Sequence, residues 1–376
     1  MSNEVNARSI SGETLTSHHI VHEERSFQQM ISLERKRTER SHKPFILMLL
    51  DTGEFLSRQT NGATFHKVLA ALSSVTRETD ITGWYNNYNV LGVIFTDVTI
   101  TDKSVAVNSI LVRVKQAMRA DLTIQQLNHI NISFHIYPEE WKQDSDERPS
   151  NPTLYPDLLK RDESQRLKRC VKRLMDVVGS LLALIILSPL FVIIAAVIRL
   201  SSPGPILFRQ RRVGQHGLPF GMLKFRSMHV NSDPAVHKEY ATKWVNGTAD
   251  KQPTTSGAEG VYKLTADRRV TRIGSLLRRS SLDELPQLIN VLKGDMSLVG
   301  PRPPLWYEVE VYELWHRRRL LETRPGITGL WQVSGRNRVK FDDMVRFDLL
   351  YARTWTLWRD VTIILRTPIA VIKGAN

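Results

Sequence analysis

The feature that most restricts this chain is the run from Val177 to Ile198, which contains no charged residue and is bounded by Asp176 and Arg199. As a helix it is long enough to cross ~30 Å of hydrocarbon. Ser188-Pro189 falls near its centre, where proline removes a helix hydrogen bond and bends the axis. Both flanks are basic: Arg166, Lys168, Arg169, Lys172 and Arg173 before it, then Arg199, Arg209, Arg211 and Arg212 after it. Positive charge marks the cytoplasmic end of a membrane segment. Two basic ends therefore predict a helix that enters the bilayer, bends at the proline and returns. A simple spanning helix and a buried core helix are the alternatives.

Upstream, residues 43–137 read as a small α/β domain. Pro44 to Leu50, Asn89 to Phe95 and Ile130 to Tyr137 have strand patterns, and Phe65 to Thr79 and Val105 to Met118 have helical ones. Residues 1–42 are expected to be a polar extension. They lack a basic-then-apolar start, which predicts no cleavable signal peptide and a cytoplasmic amino-terminal region. Residues 138–166, rich in Pro, Ser and charge, read as a linker. Downstream of Ser201, the tail from Trp355 to Ile372 mixes Trp, Leu, Ile and Val with Arg359 and Arg366. That composition suits either amphipathic helices at a membrane surface or a core-packing helix with exposed charges.

The formal charge of +14 favours acidic partners. Nucleic acid is not expected among them, because no zinc-finger spacing, aromatic RNA-binding strand or basic tail is present. A single cysteine, Cys170, excludes an internal disulfide and a cysteine metal site, and fits a reducing compartment.

Four clusters after the apolar run carry candidate chemistry: Gly204 to Gly214, Lys224 to Met228, Asp267 to Gln287, and Val299 to Pro303. Arginine supplies forked donors for phosphate oxygens, and glycine admits close backbone approach. Asp283 and Glu284 are expected at a helix start. Ser281 is a suitable N-cap, and Glu284 completes a capping-box pattern. The pair therefore has a purely local reading as capping carboxylates favoured by the helix dipole. It also has a functional one, since a helix start with free backbone donors suits a phosphate group.

From about Lys168 onward these pieces, in order, resemble the bacterial sugar transferases, the monotopic polyprenyl-phosphate phosphoglycosyl transferases. The resemblance rests on the apolar segment with Ser188-Pro189, Lys224 to Met228, Ser281 to Gln287, Asn290-Val291-Leu292, Met296-Ser297, Gly300 to Pro303, and Arg324 to Gln332. It implies a membrane-embedded, mainly α catalytic domain over 167–376, with a re-entrant helix at about 174–200 and interfacial amphipathic helices. It implies that a sugar-1-phosphate, glucose or galactose, passes from a UDP-sugar to undecaprenyl phosphate through an aspartyl phosphosugar, with release of UMP. In that family's pattern Asp283 matches the nucleophile and Glu284 its dyad partner, both with Mg2+. Arg278, Arg302 and Lys224 match phosphate-binding positions, and Ser188 and Pro189 the membrane-helix bend. The setting implied is the cytoplasmic face of a bacterial inner membrane, in the initiation of exopolysaccharide or capsule synthesis.

The amino-terminal domain resembles the diguanylate-cyclase fold, with the signature hairpin falling near Asn86-Asn87-Tyr88-Asn89. The glycines and acidic pair of that hairpin are absent. The resemblance therefore implies a degenerate domain for regulation, partner binding or homodimer formation. The alternative for the whole chain is a membrane-tethered, nucleotide-sensing signalling protein with an inactive transferase half. The polar stretch Asp233 to Leu264 is either a cover over the donor or a surface insertion.

Overall fold

The computed structural model describes residues 14–16, 19–52, 62–86, 89–98, 103–141, 149–230, 232–233, 235–252, 261–262, 267 and 269–374. Asn87-Tyr88 of the expected hairpin, most of the 138–150 segment and part of the 233–264 stretch lie outside them. The chain divides into two compact units. One holds residues 1–140 and 151–163, the other 141–150 and 164–376.

The first unit contains β1 (Thr14–Thr16), β2 (His19–His22), α1 (Glu24–Ser41), β3 (Phe45–Asp51), α2 (Gly62–Ser73), β4 (Ile81–Asn86), β5 (Val90–Phe95), α3 (Lys103–Asp121), α4 (Ile124–Asn128), β6 (Asn131–Tyr137) and α5 (Pro156–Ser164). Its sheet runs β1-β2-β4-β5-β3-β6. The β2–β4 pair is parallel and the other pairs antiparallel. Every residue of β3 except Asp51 is buried, which is why it reads as an unbroken apolar run. Ile46, Met48 and Leu50 pack with Val68 and Leu72 of α2 and Val114 and Met118 of α3.

Residues 19–41, within the stretch expected to be an extension, form β2 and α1 and belong to this unit. Phe27 and Ile31 are the fully buried apolar residues of α1, a stripe too thin to register as a helical pattern. Strand β4 also lacked a clear pattern, because it carries Gly83. A Cβ on Gly83 or on Gly92 opposite would come within 2.6 or 2.4 Å of the Phe27 side chain. The two glycines thus make room for the α1 ring on the sheet. Within the expected linker, Pro152–Leu154 form a 3-10 turn, and α5 follows.

The second unit begins with α6 (Arg166–Ser201), followed by the antiparallel hairpin of β7 (Leu207–Val213) and β8 (Pro219–Phe225). Then come α7 (Ala235–Val245), α8 (Arg272–Ser280), α9 (Gln287–Lys293), β9 (Ser297–Val299), α10 (Trp306–Glu310), α11 (Leu314–Glu322), β10 (Gly326–Thr328), α12 (Leu330–Ser334), α13 (Phe341–Arg353) and α14 (Leu357–Gly374). Helix α6 is continuous through Pro189. Little of its apolar stretch is buried, which contradicts the core-helix alternative. Its apolar side chains instead lie open: Ile186 is 72% and Val192 69% exposed.

Both halves of α6 are nevertheless fixed to this unit. Before the proline, Lys172 meets Asp360 of α14 at 2.6 Å, and Arg173 donates to the carbonyls of Val291 and Leu292 at 2.6 and 2.9 Å. Asp176 accepts from Ser297 Oγ and from the Leu298 amide, each at 3.0 Å. After the proline, Leu190, Phe191, Ile194 and Ile198 pack on Phe225, Leu277, Leu282 and Leu285. A second cluster gathers Val309, Tyr312, Leu320, Trp331, Phe341 and Val345.

Candidate active site

Asp283 and Glu284 lie in a 3-10 turn, Leu282–Glu284, between α8 and α9. The expected capping box does not form. Ser281 has φ 56°, in the left-handed region, and makes no side-chain cap. Its hydroxyl accepts from Arg336 at 2.7 Å, and the guanidinium of Arg336 also donates to the Ala370 carbonyl of α14 at 3.1 Å. With the Ser281 backbone left-handed rather than extended and its hydroxyl turned to a long-range arginine, no local cap forms, so both carboxylates are free of the capping role.

Strand β8 brings Lys224 to this turn. Its ammonium meets Glu284 Oε1 at 3.2 Å. The strand is held by Asn290 of α9, whose Oδ1 accepts from the Leu223 amide at 2.9 Å and whose Nδ2 donates to the Gly221 carbonyl at 2.8 Å. One buried side-chain amide thereby completes the β8 edge that β7 does not pair. Phe225, the next residue, packs its ring against that of Phe191 of α6 in a tilted arrangement, ring centroids 5.2 Å apart. The acidic pair thus sits against the second half of the apolar helix.

The electrostatics of the pair are asymmetric. Burial pushes the Asp283 carboxyl from its usual 3.8 up to about 6, against the opposing pull of Lys224 and Arg278. Burial would also raise Glu284, but Lys224, Arg302 and Arg212 outweigh it and leave that carboxyl lowered. Arg336 faces both carboxylates, and burial lowers its own pKa. Five cations, from β7, β8, α8, the Arg302 loop and the 3-10 turn at Arg336, therefore act electrostatically on two adjacent carboxylates. Such a charge distribution suits an anion brought close to a carboxylate.

Of the residues expected at the site from sequence, Asp283, Glu284, Lys224, Arg278 and Arg302 come together. Ser188 and Pro189 lie on α6, where the Ser188 hydroxyl donates to the Ile185 carbonyl at 2.8 Å. Arg212, from the Gly204 to Gly214 cluster, and Arg336, just after the Arg324 to Gln332 motif, join the acidic pair as well, although nothing local separates either from the chain's other arginines. Several arginines of the four clusters are structural instead. Arg226 donates to the Ser202 and Pro203 carbonyls after α6, and Arg269 pairs with Asp267 at 2.8 Å. The motif Arg324 to Gln332 packs backbone against backbone with the Gly300 loop through the parallel β9–β10 pair. A Cβ on Gly300 would come 2.2 Å from the Arg324 carbonyl oxygen.

Helix α7, in the stretch read as cover or insertion, docks through His237, whose Nδ1 lies 2.6 Å from the Tyr307 hydroxyl. Burial depresses His237 to about 4, so its ring is neutral near pH 7. Glu308 beside it is lowered by Arg302 and Arg212, which outweigh its burial. The buried polar group beside Arg302 thus consists of neutral His237, Tyr307 and ionised Glu308.

No group of three or more His, Cys, Asp or Glu side chains suited to a metal occurs among the described residues. Two adjacent carboxylates are hard oxygen ligands of the kind Mg2+ takes when substrate phosphates and water complete its shell. The donor set fits such an ion in that shared form.

Two solved cyclase structures match about a third of the chain: a DGC protein from Thermotoga maritima (20% identity, 37% of this chain and 94% of that one, TM-score 0.27) and the GGDEF domain of DgcB from Caulobacter crescentus (13% identity, 35% and 79%, TM-score 0.26). These scores support no argument about activity. The exopolysaccharide production protein ExoY of Sinorhizobium fredii is 43% identical over 200 residues, 53% of this chain and 84% of that protein. The undecaprenyl-phosphate galactose phosphotransferase of Salmonella typhimurium is 41% identical over 215 residues, 57% of this chain but only 43% of that protein. The UDP-glucose:undecaprenyl-phosphate glucose-1-phosphate transferase of Caulobacter vibrioides is 41% identical over 215 residues, 54% of this chain and 71% of that protein. The family model described as "Bacterial sugar transferase" matches residues 167–374, a span holding α6, the acidic pair and its surrounding cations, and the chain belongs to that family.

Proposed function

We infer that this chain transfers a sugar-1-phosphate, glucose or galactose, from a UDP-sugar to undecaprenyl phosphate, starting an exopolysaccharide or capsule unit at the cytoplasmic face of the bacterial inner membrane. The observation that carries this reading is the buried Asp283 carboxylate beside Glu284 and Lys224, under Arg278, Arg302 and Arg336. In the first half-reaction an Asp283 oxygen attacks the sugar-side phosphorus. The bond to the bridging oxygen breaks, and UMP leaves with that oxygen. In the second, a phosphate oxygen of undecaprenyl phosphate attacks the same phosphorus, the acyl phosphate bond breaks, and the Asp283 carboxylate is restored. Covalent catalysis splits one displacement between two anions into two easier steps.

Lys224 and the arginines hold the donor's phosphates against a carboxylate that would otherwise repel them. Asp283 and Glu284 would hold Mg2+ together with those phosphates, and the ion would neutralise their charge. Both halves of α6 are held by the one catalytic unit, which supports a helix that enters and leaves the bilayer on one side. Trp358 is 76% and Leu365 69% exposed on α14, consistent with that helix lying at the headgroup level.

The test is UMP release from a panel of UDP-sugars by protein in nanodiscs with undecaprenyl phosphate, with and without a chelator, beside Asp283→Asn. Turnover with one sugar, abolished in the variant and by chelation, is the expected outcome. Absence of UMP with every UDP-sugar would favour the nucleotide-sensing alternative, whereas full activity of the variant would remove Asp283 as the nucleophile.

A further inference from the structure

The segment Pro301-Arg302-Pro303-Pro304 has three residues without an amide hydrogen, so it cannot hold its own shape by regular backbone bonding. Each of its four carbonyls is instead taken by a donor from elsewhere. Pro301 accepts from the Gly326 amide at 2.8 Å and Pro304 from the Val213 amide at 3.0 Å. Pro303 accepts from Arg212 at 2.9 Å, and Arg302 accepts from Arg319 of α11 at 2.8 Å. The backbone beneath Arg302 is therefore fixed at every step, while the Arg302 side chain is 28% exposed. Its one ion pair among the described residues, to Glu308, is long at 3.4 Å.

Arg319 is itself 1% exposed. Its guanidinium pairs with the equally buried Asp348 at 2.7 Å and donates to the Tyr312 hydroxyl at 3.2 Å. A buried ion pair contributes little net stability compared with apolar side chains of similar volume. An apolar side chain here would fill the space but offer the Arg302 carbonyl no donor. We propose that Arg319 is a positioning residue for the donor's diphosphate: braced by Asp348, it holds the backbone that aims the Arg302 side chain at the phosphates. This rests on the reading that Arg302 binds those phosphates.

The experiment is a double-mutant cycle between Arg319→Lys and Arg302→Ala, scored as kcat/KM for the UDP-sugar in nanodiscs, with thermal midpoints recorded for each variant. Lysine keeps the charge opposite Asp348 but loses the fork that serves several acceptors together. In the parent, Arg319→Lys is expected to lower kcat/KM roughly ten- to a hundredfold. In the Arg302→Ala background the same change is expected to cost less than about twofold, because sites that act as one unit are not additive. A purely structural role would give the same fold-loss in both backgrounds, and that result overturns the proposal, as does no loss in the parent. If Arg319→Lys fails to fold, Asp348→Asn goes through the same cycle with the same criterion. A parent silent with every UDP-sugar overturns the functional reading first, and this proposal with it. A working parent with equal losses overturns this proposal alone.

Discussion

Replacing the proposed nucleophile is expected to stabilise the protein, and by an amount that grows with pH. Asp283 is 7% exposed, and its carboxyl is raised from 3.8 to about 6 mainly by burial. Below about pH 4 the group is protonated whether the chain is folded or not. Between about 4 and 6 the unfolded chain gives up this proton while the folded one keeps it, which favours unfolding. Above about 6 both forms are ionised, and the full cost of burying the charge is present. At 1.36 kcal/mol per pKa unit the difference amounts to about 3 kcal/mol. Asparagine does not titrate. The stability gap between Asp283→Asn and wild type is therefore expected to widen by about 3 kcal/mol from pH 4 to pH 8. For a domain of this size that is roughly 6–12 °C in Tm. Thermal unfolding of both proteins in the same detergent, at matched scan rates and with a chelator to keep divalent ions off the carboxylate, measures it. A gap that stays constant or narrows with rising pH refutes the argument. Glu284→Gln gives the opposite sign, because Glu284 is lowered: its contribution is present above its ordinary 4.5 and lost as pH falls.

Two further outcomes follow from the same contacts. Lys224→Met removes the ammonium that pulls both carboxyls down, so the acid limb of the activity profile is expected to move up by about one pH unit or more. An unmoved limb in a pH–kcat/KM profile would separate Lys224 from the dyad. Asn290→Ala breaks the bonds to Leu223 and Gly221 and is expected to cost about 2–4 kcal/mol, read as a lowered Tm. Asn290→Asp is not expected to rescue it at neutral pH, since a carboxylate can accept from the Leu223 amide but cannot donate to the Gly221 carbonyl.

The sequence by itself determined the elements whose identity depends on near neighbours. The charge-free run from Val177 to Ile198 dictates an apolar helix in any context. Strand β3 is legible because it is buried on both faces, and α3 because its apolar side chains recur at helical spacing. The motif order, with Asp283-Glu284 at its centre, was sufficient to indicate the family. Tertiary structure decided which charges meet. Ser281 and Glu284 have the local pattern of a capping box, yet Arg336, far along the chain, takes the Ser281 hydroxyl and the box does not form. The arginines are chemically alike in sequence. Burial then commits Arg226 to backbone carbonyls, Arg269 to an aspartate, and Arg212 and Arg319 to the loop beneath Arg302. Helix α1 and strand β4 have no clear local signature for the same reason: the Phe27 ring and the glycines Gly83 and Gly92 have meaning only against one another. Local patterns fix what a segment can become, whereas the pairing of charges and the depression or elevation of a carboxyl depend on burial. Burial is a property of the whole packed chain.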